Sequence, residues 1–173
     1  MTNYILDGHD LSSLLDKSKP SISFVEDPRK HVPKCSSIIY SVWNADEEFI
    51  YVGISSEKSR GPVGRLLAHR SGARSGDQFC IYIQDFYVIS EVVRKGFYEP
   101  AKGVLDKLTQ EYIRENLFYR FVSFDLEDRK KSDEIVKSLE TKIKRGEVGG
   151  MRPILNGETV TYDPCPPGLE GGN

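Results

Sequence analysis

The chain has 173 residues and a mass of 19.6 kDa, enough for one ordinary domain with a full core and too short for two. Hydrophobic residues at 38%, charged residues at 29% and a mean hydropathy of −0.44 exclude the disordered and membrane-spanning classes. A net charge of −2, from 24 Lys+Arg against 26 Asp+Glu, excludes a uniformly basic nucleic-acid binder and leaves local patches open. No apolar run approaches the roughly 18 residues of a membrane span. The N-terminus lacks a basic region followed by an apolar run, so no secretory signal is expected. Cys35, Cys80 and Cys165 are odd in number, far apart and without a CxxC spacing. That pattern argues against a disulfide framework or a structural zinc site and points to the cytoplasm. The histidines are His9, His31 and His69.

Residues 1–34 contain Pro20, Pro28 and Pro33 and read as an arm with a short helix at residues 10–16. A domain is expected over 35–160, followed by a loose Pro- and Gly-bearing tail over 161–173. Residues 37–43 (SIIYSVW) and 49–54 (FIYVGI) are apolar, β-branched and aromatic. With the polar turn at 44–47 between them they predict an antiparallel hairpin. A helix is expected from Pro62 to about Arg70, where Ser71-Gly72 ends it. Residues 79–93 (FCIYIQDFYVISEVV) read as one or two strands, and 100–116 as the clearest helix. A strand at 117–124 and a last helix at 132–145 follow, the helix stopped by Gly146 and Gly149-Gly150. The expected fold is α/β (α+β), a small and largely antiparallel central sheet with an N-terminal β-hairpin, flanked by helices.

Four features carry chemistry. First, residues 58–76 hold Lys58, Arg60, Arg65, Arg70, Arg74 and His69 and no acid. Interrupted by Gly and Ser, this basic stripe suits a phosphate backbone, and it equally suits a solvated face. Second, Arg65 and His69 lie four apart on a helix face separate from Val63, Leu66 and Leu67. A planar guanidinium and an imidazole one turn later can serve one phosphate, or be an exposed pair. Third, Glu140 lies at the edge of the apolar arc of its helix. It can hold a hard cation such as Mg²⁺, or pair with Lys144 or Lys137. Fourth, Tyr40 and Tyr51 fall in adjacent strands, where core packing is the ordinary role of a tyrosine.

In chain order the pieces are Ile39-Tyr40, ten residues, Tyr51-Val52-Gly53, then Arg65 and His69, then Glu140, then Pro153-Ile154-Leu155-Asn156. That order resembles the GIY-YIG nuclease family over about residues 36–156. In that family two short motifs share a hairpin and precede a helical arginine, a glutamate on a later helix and an asparagine. The segment HRSGARSGDQF is similar to that of small stand-alone bacterial members. Two departures stand out. Isoleucine occupies Ile38 where glycine is usual, and the interval from Glu140 to Asn156 is somewhat long.

The resemblance implies an endonuclease that hydrolyses DNA phosphodiesters with one divalent metal, Mg²⁺ or Mn²⁺. Glu140 would hold the metal, and Arg65 would neutralise charge on the phosphorane-like transition state. Tyr40 or Tyr51 would position or deprotonate the water, with nearby cations favouring the phenolate. His69 would assist proton transfer or bind the phosphate, and Asn156 would orient its neighbours. Gly53 would let the DNA backbone pass close by, with Lys58, Arg60, Arg70 and Arg74 along the phosphates. A homodimer would supply the two active sites that double-strand cutting needs. The rival readings are a non-catalytic nucleic-acid-binding module with the same fold, and an unrelated interaction protein.

Overall fold

Residues 4–57, 60–95 and 103–157 are described by the structure, a computed structural model. The N-terminal segment opens with a two-stranded antiparallel sheet of β1 (Ile5–Leu6) and β2 (His9–Asp10). The single-turn helix α1 (Ser12–Leu15) and the short strand β3 (Ile22–Ser23) come next. Residues 4–34, read from the sequence as an arm, are laid into the fold. Leu11, Leu14, Leu15 and Phe24 are fully buried, and β3 pairs with a central strand. Arg120 and Ser41 fasten this segment. The Arg120 guanidinium donates to the carbonyls of Lys19 and Lys17 at 3.1 and 3.2 Å, and the Ser41 hydroxyl donates to Leu14 O at 2.6 Å.

The hairpin forms as the sequence predicts, from β4 (Ser37–Asn44) and β5 (Phe49–Ser56). Asn44 builds its turn, its side-chain oxygen accepting from the amides of Asp46 and Glu48. The helix α2 (Gly64–Ser71) follows, ended by Gly72 in the left-handed conformation at φ 69°.

Residues 79–93 are helical, where the sequence reads as strand. They lie in α3 (Gln78–Ile83), a π-helical turn at Gln84–Val88 and α4 (Ile89–Lys95). Two physical reasons account for this. Asp77 caps the start of the helix, accepting from the amides of Phe79 and Cys80 at 3.1 and 3.4 Å. The buried set Phe79, Cys80, Ile83, Gln84 and Val88 then recurs with helical spacing against the core. Packing of this face outweighs the strand preference of its β-branched and aromatic residues.

The remaining elements are α5 (Val104–Asn116), β6 (Leu117–Phe124) and α6 (Arg129–Lys144). Residues 100–102 of the predicted helix, and the tail at 161–173, lie outside the described residues. The start of α6 is capped by Asp128, which accepts from the amides of Lys130 and Lys131 at 3.0 and 3.1 Å. Asp128→Ala is expected to cost about 1 kcal/mol, read as a lower urea midpoint at unchanged m-value.

The main sheet has the order β3-β6-β4-β5 and every pairing in it is antiparallel. One face carries Ile38, Tyr40, Val42, Tyr51 and Tyr119, packed with Leu66, Phe79, Ile83 and Ile113 of α2, α3 and α5. The other carries Ile39, Trp43 and Val52, packed with Leu14, Leu15, Val136, Leu139 and Ile143 of α1 and α6. This helix–sheet–helix layering is the mixed α+β fold expected from the sequence. The period of two along β4 sends alternate residues to separate layers. β5 is an edge strand, covered by residues 153–156: the amides of Ile154 and Leu155 donate to Phe49 O and Ile50 O, each at 2.9 Å. Among the described residues no helix is long and apolar enough to cross a membrane.

Candidate active site

Strand register sets the first pair of side chains. Tyr40 is paired with Gly53, and Tyr51 with Val42 two residues along β4, so both tyrosines share a face on a diagonal. Their rings lie 6.5 Å apart between centroids and 29° from parallel. Both are buried. A Cβ on Gly53 would overlap the Tyr40 hydroxyl and lie 2.6 Å from Tyr40 Cζ and 2.9 Å from Tyr51 Cε1. The glycine therefore makes room for the Tyr40 ring. Gly53 is itself buried, so the passing DNA backbone expected at this position is replaced by a tyrosine ring.

The second group comes from α2. The exposed pair considered for Arg65 and His69 is not formed. His69 is buried on the inner side with Leu66, one turn before it, while Arg65 at the helix start is exposed. His69 Nε2 lies 2.6 Å from the Tyr40 hydroxyl, and its Nδ1 lies 2.7 Å from Asp77 Oδ2. Phe79 lies against the imidazole with centroids 4.4 Å apart. Asp77 thus uses one oxygen for the cap of α3 and the other for His69.

His69, Asp77 and Cys80 place ligand-type atoms within 4.8 Å of one another. As they stand, the three are spent on hydrogen bonds. Asp77 accepts from His69, and the Cys80 thiol donates to His69 O at 3.5 Å. Burial pushes the Cys80 thiol well up, away from the thiolate that a metal would take.

Glu140 reaches the site from the other layer. α6 packs on the opposite face of the sheet from α2, and Glu140 emerges at its edge with 18% of its side chain exposed. It pairs with Lys144 at 3.0 Å, one of the two partners expected from spacing. Arg65, Asp77 and Glu140 all act electrostatically on both Tyr40 and Tyr51.

The acidity of the tyrosines runs against the expectation that nearby cations favour a phenolate. Burial pushes both phenols up, and Glu140 and Asp77 add to it; Arg65 pulls both down and is outweighed. Each is a neutral hydroxyl that can act as a base only by handing its proton on.

Asn156 faces the outer edge of β5. Its oxygen accepts from Val52 N at 3.2 Å and its amide donates to Val52 O at 2.7 Å, pinning the strand between Tyr51 and Gly53. The basic stripe divides. Arg60 and Arg65 are exposed. Arg70 instead donates to the carbonyls of Phe24 and Val25 at 2.9 and 3.0 Å, and Arg74 pairs with Asp106 at 3.3 Å. The Arg70 guanidinium is engaged in holding the fold, while Arg74 and Asp106 form a half-exposed surface pair. Lys58 lies outside the described residues.

Asp77 was not among the residues singled out from the sequence. Its signal was present as a capping residue directly before an apolar run. The strand reading of 79–93 hid it, because a strand has no cap to fill.

No protein-family model, curated protein or solved structure matches the chain.

Proposed function

We propose that the protein is a divalent-metal-dependent endonuclease acting on DNA phosphodiesters through a site of the GIY-YIG type. The observation that carries this reading is the convergence of residues far apart in the chain. The Tyr40 hydroxyl lies 2.6 Å from His69 Nε2, and Arg65 and Glu140 both act electrostatically on Tyr40 and Tyr51. An arginine, a histidine, a glutamate and two phenols are the group types that phosphoryl chemistry uses.

The exposed Arg65 fork binds the non-bridging phosphate oxygens and neutralises the charge that grows there. A tyrosine hydroxyl orients the attacking water and removes its proton as the oxygen bonds to phosphorus. The bond to the leaving oxygen breaks, and that oxygen takes up a proton from solvent. Asn156 holds Val52, and so keeps Tyr51 and Gly53 in register. The donor chemistry of Glu140 fits a hard cation, since a single part-exposed carboxylate with room for water is how Mg²⁺ is commonly held. Glu140 would exchange its pairing with Lys144 for the ion. When bound, Mg²⁺ or Mn²⁺ supplies positive charge to the scissile phosphate and the leaving oxygen. The buried free thiols of Cys35 and Cys80 suit a reducing, cytoplasmic setting. A second copy would allow both DNA strands to be cut.

Supercoiled plasmid incubated with the protein and Mg²⁺ is expected to be nicked, and EDTA to stop it. Glu140→Gln should slow nicking by about two orders of magnitude, in line with the several kcal/mol that metal charge supplies. DNA retarded on a gel but uncut under every divalent metal would instead identify a binding module. Equal nicking by the parent and Glu140→Gln would show that the activity belongs elsewhere.

A further inference from the structure

Asp77 does more than cap a helix. It is buried, as is His69, and the two are joined at 2.7 Å, with the second imidazole nitrogen 2.6 Å from the Tyr40 hydroxyl. Burial alone would raise the Asp77 carboxyl. Hydrogen bonds from His69 and from the amides of Cys80 and Phe79 hold it below the ordinary carboxylate value. An ionised carboxylate only accepts, so His69 Nδ1 must carry the proton. In the neutral imidazole Nε2 is then bare, and the Tyr40 hydroxyl donates to it.

We propose that Asp77 is a positioning residue: by holding the Nδ1–H tautomer of His69 it keeps Nε2 open to the Tyr40 hydroxyl proton, and so fixes the orientation of both the imidazole and the phenol. The arrangement follows the logic of an acid–base–nucleophile triad, with a phenol where a serine would stand. Its catalytic consequence rests on the nuclease reading above, whereas its structural half does not.

Asp77→Asn separates the two functions of the residue. Asparagine caps a helix about as well as aspartate, so α3 should hold and Tm should stay close to that of the parent. Its amide can donate to Nδ1 and so favour the Nε2–H tautomer, which donates to Tyr40 instead of accepting from it. Long-range ¹H–¹⁵N spectra of the three histidines, with His69 assigned by His69→Gln, read the tautomer directly. The expected result is Nδ1–H on His69 in the parent and its loss in Asp77→Asn. Nicking should fall by about a hundredfold or more, the range of positioned proton transfer. An Nε2–H tautomer in the parent, or nicking unchanged in Asp77→Asn, overturns the proposal. If the parent cuts no DNA under any divalent metal, the nuclease reading falls, and the tautomer spectra alone decide whether Asp77 orients His69.

Discussion

Arg65→Ala should slow plasmid nicking about a thousandfold, the upper range for removing a preorganised group that meets transition-state charge, while leaving the fold intact. The side chain is exposed at the start of α2, and alanine is a strong helix former, so little stability is at stake. Two separate losses add up in the rate. The phosphate loses a planar, permanently charged fork. The two phenols lose a cation that pulls them down, which leaves burial, Glu140 and Asp77 pushing them up unopposed by Arg65. The sign follows: deprotonating the acting tyrosine becomes harder, so the pH dependence of residual nicking moves upward. Arg65→Lys keeps charge without the fork, and should recover the pH dependence better than the rate. Single-turnover nicking across pH for the parent and both variants makes the comparison. An Arg65→Ala protein as active as the parent would remove Arg65 from the site.

Gly53→Ala should damage both the site and the fold. The added methyl meets Tyr40 Cζ at 2.6 Å and Tyr51 Cε1 at 2.9 Å, and Tyr40 is fully buried with its hydroxyl held by His69. The ring has nowhere to yield without breaking the hydrogen bond at 2.6 Å. Overpacking of this kind costs about 1–3 kcal/mol, so Tm should fall by several degrees in a chain of this size. Nicking should drop to background, because displacing the phenol by about 1 Å is enough to cost orders of magnitude. A double-mutant cycle with Tyr40→Leu isolates the cause. Leucine lacks the Cζ and hydroxyl that the methyl meets, so Gly53→Ala should cost less stability in that background, with nicking still absent. Equal cost in both backgrounds would place the damage in the strand itself.

The hairpin, the strand at 117–124 and the helices α5 and α6 were legible because each announces itself locally. β4 and β5 are dense in β-branched and aromatic residues around a polar turn, and α5 and α6 keep apolar residues at helical spacing. The chain order of Tyr40, Tyr51, Arg65, His69, Glu140 and Asn156 was legible for the same reason, since it needs residue types and separations alone. Residues 79–93 were misread because fifteen residues, eleven of them apolar or aromatic, fit a strand as well as a helix until a core is present to choose a face. The segment 1–34 reads as an arm because its elements span two to four residues each, too short to show a period. Leu14 and Phe24 gain their place from contact with α6 and with Tyr119 and Phe79, far away in the chain.

The sequence was sufficient for the mixed α+β class and for the hairpin, because these depend on local periodicity and composition. Tertiary structure alone decided that His69 faces inward, that Asp77 holds it, and that Arg70 is spent on two carbonyls. It also reversed the expected acidity of the tyrosines. Charge near a phenol can be counted along a chain, but desolvation depends on what is packed around it. For Tyr40, closed in by Gly53, Tyr51 and His69, burial is the larger effect.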